Sequence, residues 1–234
     1  MNACLFCNRP IKNNLSISFL FSWKKLKEQQ VCIKCAERFE KIDRTHACLG
    51  CSRQQSNKSY CNDCKKWRKQ YPNLQLNHNA LYTYNEMARE FMDQYKFQGD
   101  LLLADIFSEQ MHEALNKYQA SHFIVPIPLS PLSKQTRGFN QVQLLLKRAG
   151  IVYQSLLENN TKEPLQSSKN RLDRLKTPQP FQIMNEEVLK GNSKNKILII
   201  DDVYTTGRTM LHAKEVFKQI FSDHFEIESF SLFR

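Results

Sequence analysis

The 234-residue sequence predicts an α/β protein: a parallel sheet with helices on both faces, preceded by a small cysteine-rich module. Three observations carry that expectation. All eight cysteines fall before residue 65, as four Cys-x-x-Cys pairs. From about residue 79, strand-like and helix-like segments alternate, and the strand-like ones are continuous apolar runs. Charge divides at the same place: residues 1–78 hold 15 Lys and Arg against 5 Asp and Glu, whereas residues 79–234 hold 19 against 18. The expected organisation is a module over 1–78 and a domain over 79–234. A composition with 41% hydrophobic and 24% charged residues excludes wholesale disorder. The longest apolar runs, Phe123 to Leu129 and Ile197 to Ile200, are far shorter than the roughly 18–20 residues of a membrane span.

In the module the pairs are Cys4/Cys7, Cys32/Cys35, Cys48/Cys51 and Cys61/Cys64. The opening Met1-Asn2-Ala3-Cys4 lacks a basic stretch followed by an apolar segment, so a cytoplasmic chain with reduced thiols is expected. Each pair places two sulfurs on one side of a tight turn, and two pairs complete a tetrahedral S₄ site, the geometry of structural zinc. Four pairs imply two zinc ions, in a double zinc ribbon. Consecutive pairing puts Cys4, Cys7, Cys32 and Cys35 on one ion and Cys48, Cys51, Cys61 and Cys64 on the other; a cross-brace uses the same residues. A redox dithiol needs one pair beside a βαβ pattern, which is missing here. Between Cys7 and Cys32, apolar residues at 15, 17, 19 and 21 alternate as in a strand.

Eight thiolates and two Zn²⁺ reduce the module's formal charge to about +6, still basic. Lys24, Lys25, Lys27, Lys34, Lys58, Lys65, Lys66, Arg68 and Lys69 surround the pairs, with Trp23, Tyr60, Trp67 and Tyr71 among them. Cations that neutralise phosphates and aromatics that stack on unpaired bases make single-stranded DNA an expected partner. A solvated basic face or a protein-docking ribbon has the same composition.

The domain reads as a strand over 80–84, a helix capped by Asn85, a break at Lys96-Phe-Gln-Gly-Asp100 and a helix over 101–118. There follow a strand over 123–127, a loop, a helix over 139–149, a polar stretch at 158–180 and a strand over 197–200. A helix over 208–221, with Met210, Ala213, Phe217, Ile220 and Phe221 on one side, and a strand over 226–232 close the domain.

The chemistry concentrates in Ile197-Leu-Ile-Ile-Asp-Asp-Val-Tyr-Thr-Thr-Gly-Arg-Thr209. A buried strand ends in two acids, and a short loop runs directly into a helix, which is where open α/β sheets bind ligands. The N–H groups and hydroxyls of Thr205, Thr206, Gly207, Arg208 and Thr209, with the helix N-terminus, form a phosphate cradle. Asp201 and Asp202 beside it suit the hydroxyls of a cis-diol. No Gly-x-x-x-x-Gly-Lys-[Ser/Thr] occurs, which argues against a P-loop NTPase.

This segment resembles the phosphoribosyl pyrophosphate (PRPP) signature of type I phosphoribosyltransferases. Within that superfamily the chain is similar, over nearly its whole length, to the ComF family. The resemblance rests on the paired ribbons, Lys96-Phe-Gln-Gly-Asp100, Val125-Pro-Ile-Pro-Leu129, Arg137-Gly-Phe-Asn-Gln141 and the 201–209 loop. It implies a type I phosphoribosyltransferase-like domain, with Asp201 and Asp202 on the ribose hydroxyls and Pro128, Leu129 and Ser130 at the pyrophosphate loop. A flap over Gln166 to Arg174 would cover the site. Arg137 and Arg174 become the candidates for meeting charge on the leaving group, with Mg²⁺ accompanying PRPP. Arg208 departs from the small residue common at that position, and either assists phosphate or points to solvent. The resemblance further implies a role in DNA uptake during natural transformation, beside a helicase and recombination proteins. A transferase with an unidentified acceptor and a non-catalytic sensor of PRPP or a nucleotide both fit.

Overall fold

A computed structural model of the chain describes residues 3–11, 29–74, 77–161, 179–190, 193–222 and 224–234. The apolar runs form a four-stranded parallel sheet in the order β1-β6-β5-β2, from β1 (His78–Tyr82), β2 (His122–Pro126), β5 (Lys196–Val203) and β6 (Glu226–Phe233). Two short strands, β3 (Leu157–Asn159) and β4 (Phe181–Ile183), pair antiparallel. The strand alternation divides the core. Leu198 and Ile200 of β5 join the cluster on one face, Ile197 and Ile199 the cluster on the other.

The cysteine-rich segments carry α1 (Ile33–Ala36) and α2 (Asn62–Gln70), each N-capped by a cysteine, Cys32 and Cys61. The other half of each ribbon is a tight turn, and the two turns are copies. Cys4 N–H donates to Arg9 O and Asn8 N–H to Cys4 O; Cys48 N–H donates to Arg53 O and Ser52 N–H to Cys48 O. Asn8 and Ser52 both adopt positive φ, at 56° and 58°. The sequence contains this repeat as Cys-Leu-x-Cys-[Asn/Ser]-Arg, at 4–9 and 48–53.

Packing crosses the 78/79 boundary. Cys4, Cys35 and Phe39 lie in one core cluster with Tyr82, Phe91, Phe107 and Phe233, while Cys48, Cys51, Cys61 and Cys64 lie in the other with Val125, Ile197 and Tyr204. Residues 40–42 also cover the outer edge of β1, where Ile42 N–H donates to Leu81 O and Thr83 N–H to Glu40 O. This cover shields backbone groups that would otherwise invite edge pairing.

Around the sheet lie α3 (Glu86–Asp93), α4 (Ser108–Leu115), α5 (Pro131–Arg137), α6 (Gln141–Arg148) and α7 (Arg208–Phe221). Asn85 caps α3 by accepting from Ala88 N–H, as its sequence predicts. The expected helix over 101–118 is instead a 3₁₀ segment at Leu101–Phe107, then α4, then a 3₁₀ turn. Residues 131–137, expected as loop, form α5: Ser130 accepts from Ser133 N–H and Pro131 takes the first helical position. On α7, Met210, Ala213 and Phe217 are buried as expected, but Ile220 is 46% exposed and Val216 completes the buried stripe. The expected strand near 15–21 and the flap at 166–174 lie outside the described residues. None of the helices among the described residues is long and apolar enough to cross a membrane.

Candidate functional site

Because β5 lies between β2 and β6, the chain leaving it emerges beside the chain leaving β2. Ile127 N–H donates to Ile200 O, which sets Pro128, Leu129 and Ser130 on the same carboxyl edge as Asp201 and Asp202. Asp202 is 7% exposed, and its carboxylate is gripped by Lys96, whose Nζ lies 3.0 Å from Oδ1 and 2.9 Å from Oδ2. Asp201 accepts the Asp202 N–H through Oδ1 at 2.9 Å. Burial, then the neighbouring Asp202 charge, push the Asp201 carboxyl up to about 7 against the opposing pull of Lys96. Two carboxylates this close share charge poorly, which makes them a prepared acceptor for hydroxyl donors.

Past Tyr204, Thr205 is exposed, Thr206 is buried, and Gly207 at φ 85° turns the chain into α7. Few residues other than glycine adopt that φ cheaply. The opening N–H groups of α7 therefore stand next to the acid pair, the arrangement that binds anions. Arg208 turns the other way. Its guanidinium donates to Tyr71 Oη at 2.8 Å and lies 6.0 Å from the ring centroids of both Trp67 and Tyr71, so it faces the cysteine module rather than solvent.

Other contacts among the described residues also join the module to the loop. Trp67, 7% exposed, donates its indole N–H to Thr206 O at 2.7 Å, which occupies it as a loop support and removes it as a base-stacking surface. Arg234 stacks 4.7 Å above the Tyr204 ring, donates to Thr205 O at 3.3 Å, and reaches Cys51 O and Cys51 Sγ at 3.2 and 3.1 Å.

Arg137 ends α5. It donates to Gln141 Oε1 at 3.4 Å, and its guanidinium lies 5.4 Å from the ring centroid of Phe97. Asn140 donates to Ile127 O at 3.0 Å and caps α6, tying Arg137-Gly-Phe-Asn-Gln141 to the exit of β2. Ser130 spends its hydroxyl on Ser133. Asp201, Asp202, the 205–209 loop and Pro128 to Ser130 thus share one sheet edge, with Arg137 tied in through Asn140; Arg174 lies outside the described residues. Sequence reasoning missed Lys96 as a site residue, although it opens the Lys96-Phe-Gln-Gly-Asp100 break. It also missed Trp67 and Arg234 as loop supports.

The eight cysteines form two groups, Cys4, Cys7, Cys32 and Cys35, and Cys48, Cys51, Cys61 and Cys64, with the sulfurs of each within 4.8 Å of one another. The pairing is consecutive. A tetrahedron with Zn–S bonds of about 2.3 Å has edges of about 3.8 Å. The sulfur separations of 3.8 Å for Cys7–Cys32, 3.6 Å for Cys48–Cys64 and 3.7 Å for Cys51–Cys61 match it. In the second group, sulfur contacts led by Cys48 push the Cys51 and Cys64 thiols up, and contact with Cys51 pulls Cys48 down. Four such sulfurs ionise together only around a cation. Gly50 packs closely there: a Cβ would meet Cys64 Sγ at 3.0 Å.

Fold and site together define a parallel α/β protein with two Cys₄ groups that could each hold a metal ion and an acid-pair, threonine-glycine loop at the sheet's carboxyl edge. The chain is 37% identical over 231 residues to competence protein ComFC of Streptococcus pneumoniae, covering 99% of each chain. It is 35% identical over 214 residues to ComFC of Bacillus subtilis, covering 88% of this chain and 85% of that one. Competence protein F of Haemophilus influenzae is 21% identical over 214 residues. No family model matches. The chain belongs to the ComFC family of competence proteins.

Proposed function

We propose that the carboxyl-edge site binds PRPP with Mg²⁺ and that the protein is a phosphoribosyltransferase acting in DNA uptake during natural transformation. The competence role is supported by the relatives' names. One observation carries the PRPP reading: an acid pair, one member buried, leads through Gly207 into the N-terminus of α7. In this reading Asp201 and Asp202 accept the ribose hydroxyls, and the N–H groups from Thr205 to Thr209 hold the 5′-phosphate. The segment Pro128 to Ser130 lies along the pyrophosphate, with Arg137 as a donor to the leaving oxygens. Magnesium arrives with the substrate, held by its phosphates and water, and supplies charge neutralisation on the leaving group.

Single-stranded DNA is the proposed macromolecular partner. Lys58, Lys65, Lys66 and Lys69 are exposed on and beside α2 and available to phosphates. A second reading, a PRPP sensor, is favoured by the Trp67 and Arg234 contacts, which join the loop to that basic module.

Calorimetry with Mg²⁺ and PRPP tests the site. Wild type should bind saturably, and the Asp201→Asn, Asp202→Asn double variant should not; equal affinity in the two overturns the reading. Pyrophosphate release that depends on an added base or oligonucleotide supports the transferase. Saturable binding without release, together with altered oligonucleotide affinity, supports the sensor.

A further inference from the structure

Lys96 stands where the hydroxyls of a bound sugar are expected. It contacts both carboxylate oxygens of Asp202, and the two side chains are only 19% and 10% exposed. The lysine is placed there by a π-helical turn, Gln94–Gln98, closed by Gly99 at φ 70°. Such turns insert an extra residue into a helix and re-aim its side chains. Beside it, Tyr95 anchors the turn by donating its hydroxyl to Gln141 O at 2.8 Å. Gln141 is 1% exposed, its Oε1 accepts from Arg137, and its Nε2 has no hydrogen-bond partner. A buried amide N–H without an acceptor is uncommon, and here it belongs to the residue that links Arg137 to the Lys96 turn.

We infer that Lys96 is an exchange cation: it neutralises Asp202 in the free site and passes to the anionic group of the ligand when sugar hydroxyls take its place. The inference rests on the PRPP reading of the site and adds a specificity device to it. A largely buried ammonium–carboxylate pair resists separation because either partner left alone is an uncompensated charge. A ligand that offers only hydroxyls and a 5′-phosphate displaces Lys96 and leaves the ammonium unpaired. A ligand that also carries pyrophosphate pairs it again, with the Gln141 amide and Arg137 as neighbouring donors. Discrimination for PRPP over ribose 5-phosphate therefore begins at Asp202, on the diol side of the site.

The test is calorimetry on full-length, zinc-loaded protein with PRPP and with ribose 5-phosphate, both in Mg²⁺. Wild type should prefer PRPP. In Lys96→Met the PRPP affinity should fall about tenfold or more, the scale of one charge-assisted hydrogen bond. Ribose 5-phosphate should bind the variant as well as wild type or better, since no lysine has to be displaced. Lys96→Arg should restore the preference. Lys96→Gln keeps a donor to Asp202 without the charge, and should behave as Lys96→Met does even where methionine destabilises the fold. Equal weakening of both ligands in the Met and Gln variants overturns the exchange and leaves Lys96 a support for Asp202. Wild type binding neither ligand overturns the site reading itself, and the inference with it.

Discussion

Cys4-Leu-Phe-Cys7-Asn8-Arg9 and Cys48-Leu-Gly-Cys51-Ser52-Arg53 fold into the same turn, and each is completed by a cysteine pair at a helix N-terminus. Their surroundings differ. The first group shares a core with Phe39, whose ring lies 4.9 to 6.5 Å from those of Phe6, Tyr82, Phe91, Phe107 and Phe233. The second is more deeply buried and meets polar backbone, where Arg234 bridges Cys51 to the carbonyls of Tyr204 and Thr205. One four-cysteine design, used twice on opposite faces of a sheet, therefore supports a hydrophobic core in one place and the loop after β5 in the other.

The largest expected effects test the first half of that comparison. Phe39→Ala should cost about 3–5 kcal/mol of folding stability in a urea titration, a large part of what a domain possesses. The sequence alone suggests that residues 79–234 would keep PRPP binding after deletion of the module. The shared core reverses that expectation: the fragment exposes Phe91, Phe107 and Phe233 and should not fold cooperatively. A fragment with a sharp melt and PRPP binding would show the module to be an accessory.

Next in size is the contrast between the groups. Cys7→Ser and Cys51→Ser should each reduce bound zinc from two to about one per chain, measured by metal analysis. Only Cys51→Ser should also weaken PRPP, by about tenfold to a hundredfold, the range seen when a layer supporting a site is disturbed. Cys7→Ser should leave PRPP affinity within about twofold, as expected for distant, independent positions. Equal losses in the two variants would dissolve the distinction drawn between the clusters.

The local parts of this arrangement were legible in the sequence, and the joints between them were not. Helix α7 runs from Arg208 to Phe221 as read, because a glycine turn starts it and a strong apolar stripe sustains it. The central strands differ from the reading by a few residues, their apolar runs being unmistakable. Strands β3 and β4 were missed: three residues are too few to establish a period. The 101–118 reading joins a 3₁₀ segment to an α-helix across Phe107–Ser108, and Leu101 and Leu102 at its start are 42% and 53% exposed. Lys96 meets Asp202 from 106 residues away, and Trp67 meets Thr206 from 139. No periodicity or spacing rule reaches across such separations; only the packing of the sheet brings them together.

A smaller effect isolates the joint between module and loop. Trp67→Phe keeps a ring in the buried slot and deletes the N–H that Thr206 O accepts, at a cost of about 1–3 kcal/mol for the carbonyl left unpaired. The loss should register as weaker PRPP binding, whereas affinity for a single-stranded oligonucleotide should be unchanged, since Trp67 is not at the surface. Weakened oligonucleotide binding with PRPP unaffected would return Trp67 to the role its sequence neighbourhood suggested.

The smallest expected effect is a pH dependence, and it concerns the acid-pair loop rather than the cysteine clusters. Asp201 is pushed up to about 7, so in the free protein it is largely protonated below that value. Hydroxyl donors favour the ionised pair, and PRPP binding must then expel a proton at lower pH. Affinity should rise by at most about tenfold per unit up to pH 7 and level off above it. The sign for folding is opposite. A carboxyl whose folded pKa is raised contributes stability that is fully present below its ordinary value of 3.8 and lost as pH rises through about 7. Asp201→Asn should therefore flatten the binding profile and gain stability relative to wild type between pH 5 and 8. The ligand's own phosphate titrates near pH 6, so the ratio of wild type to Asp201→Asn, rather than either curve, carries the test. Since Lys96 lowers this pKa, Lys96→Met should move the break to higher pH. A wild-type ratio that does not change between pH 5.5 and 8.5 would mean that Asp201 does not contact the ligand.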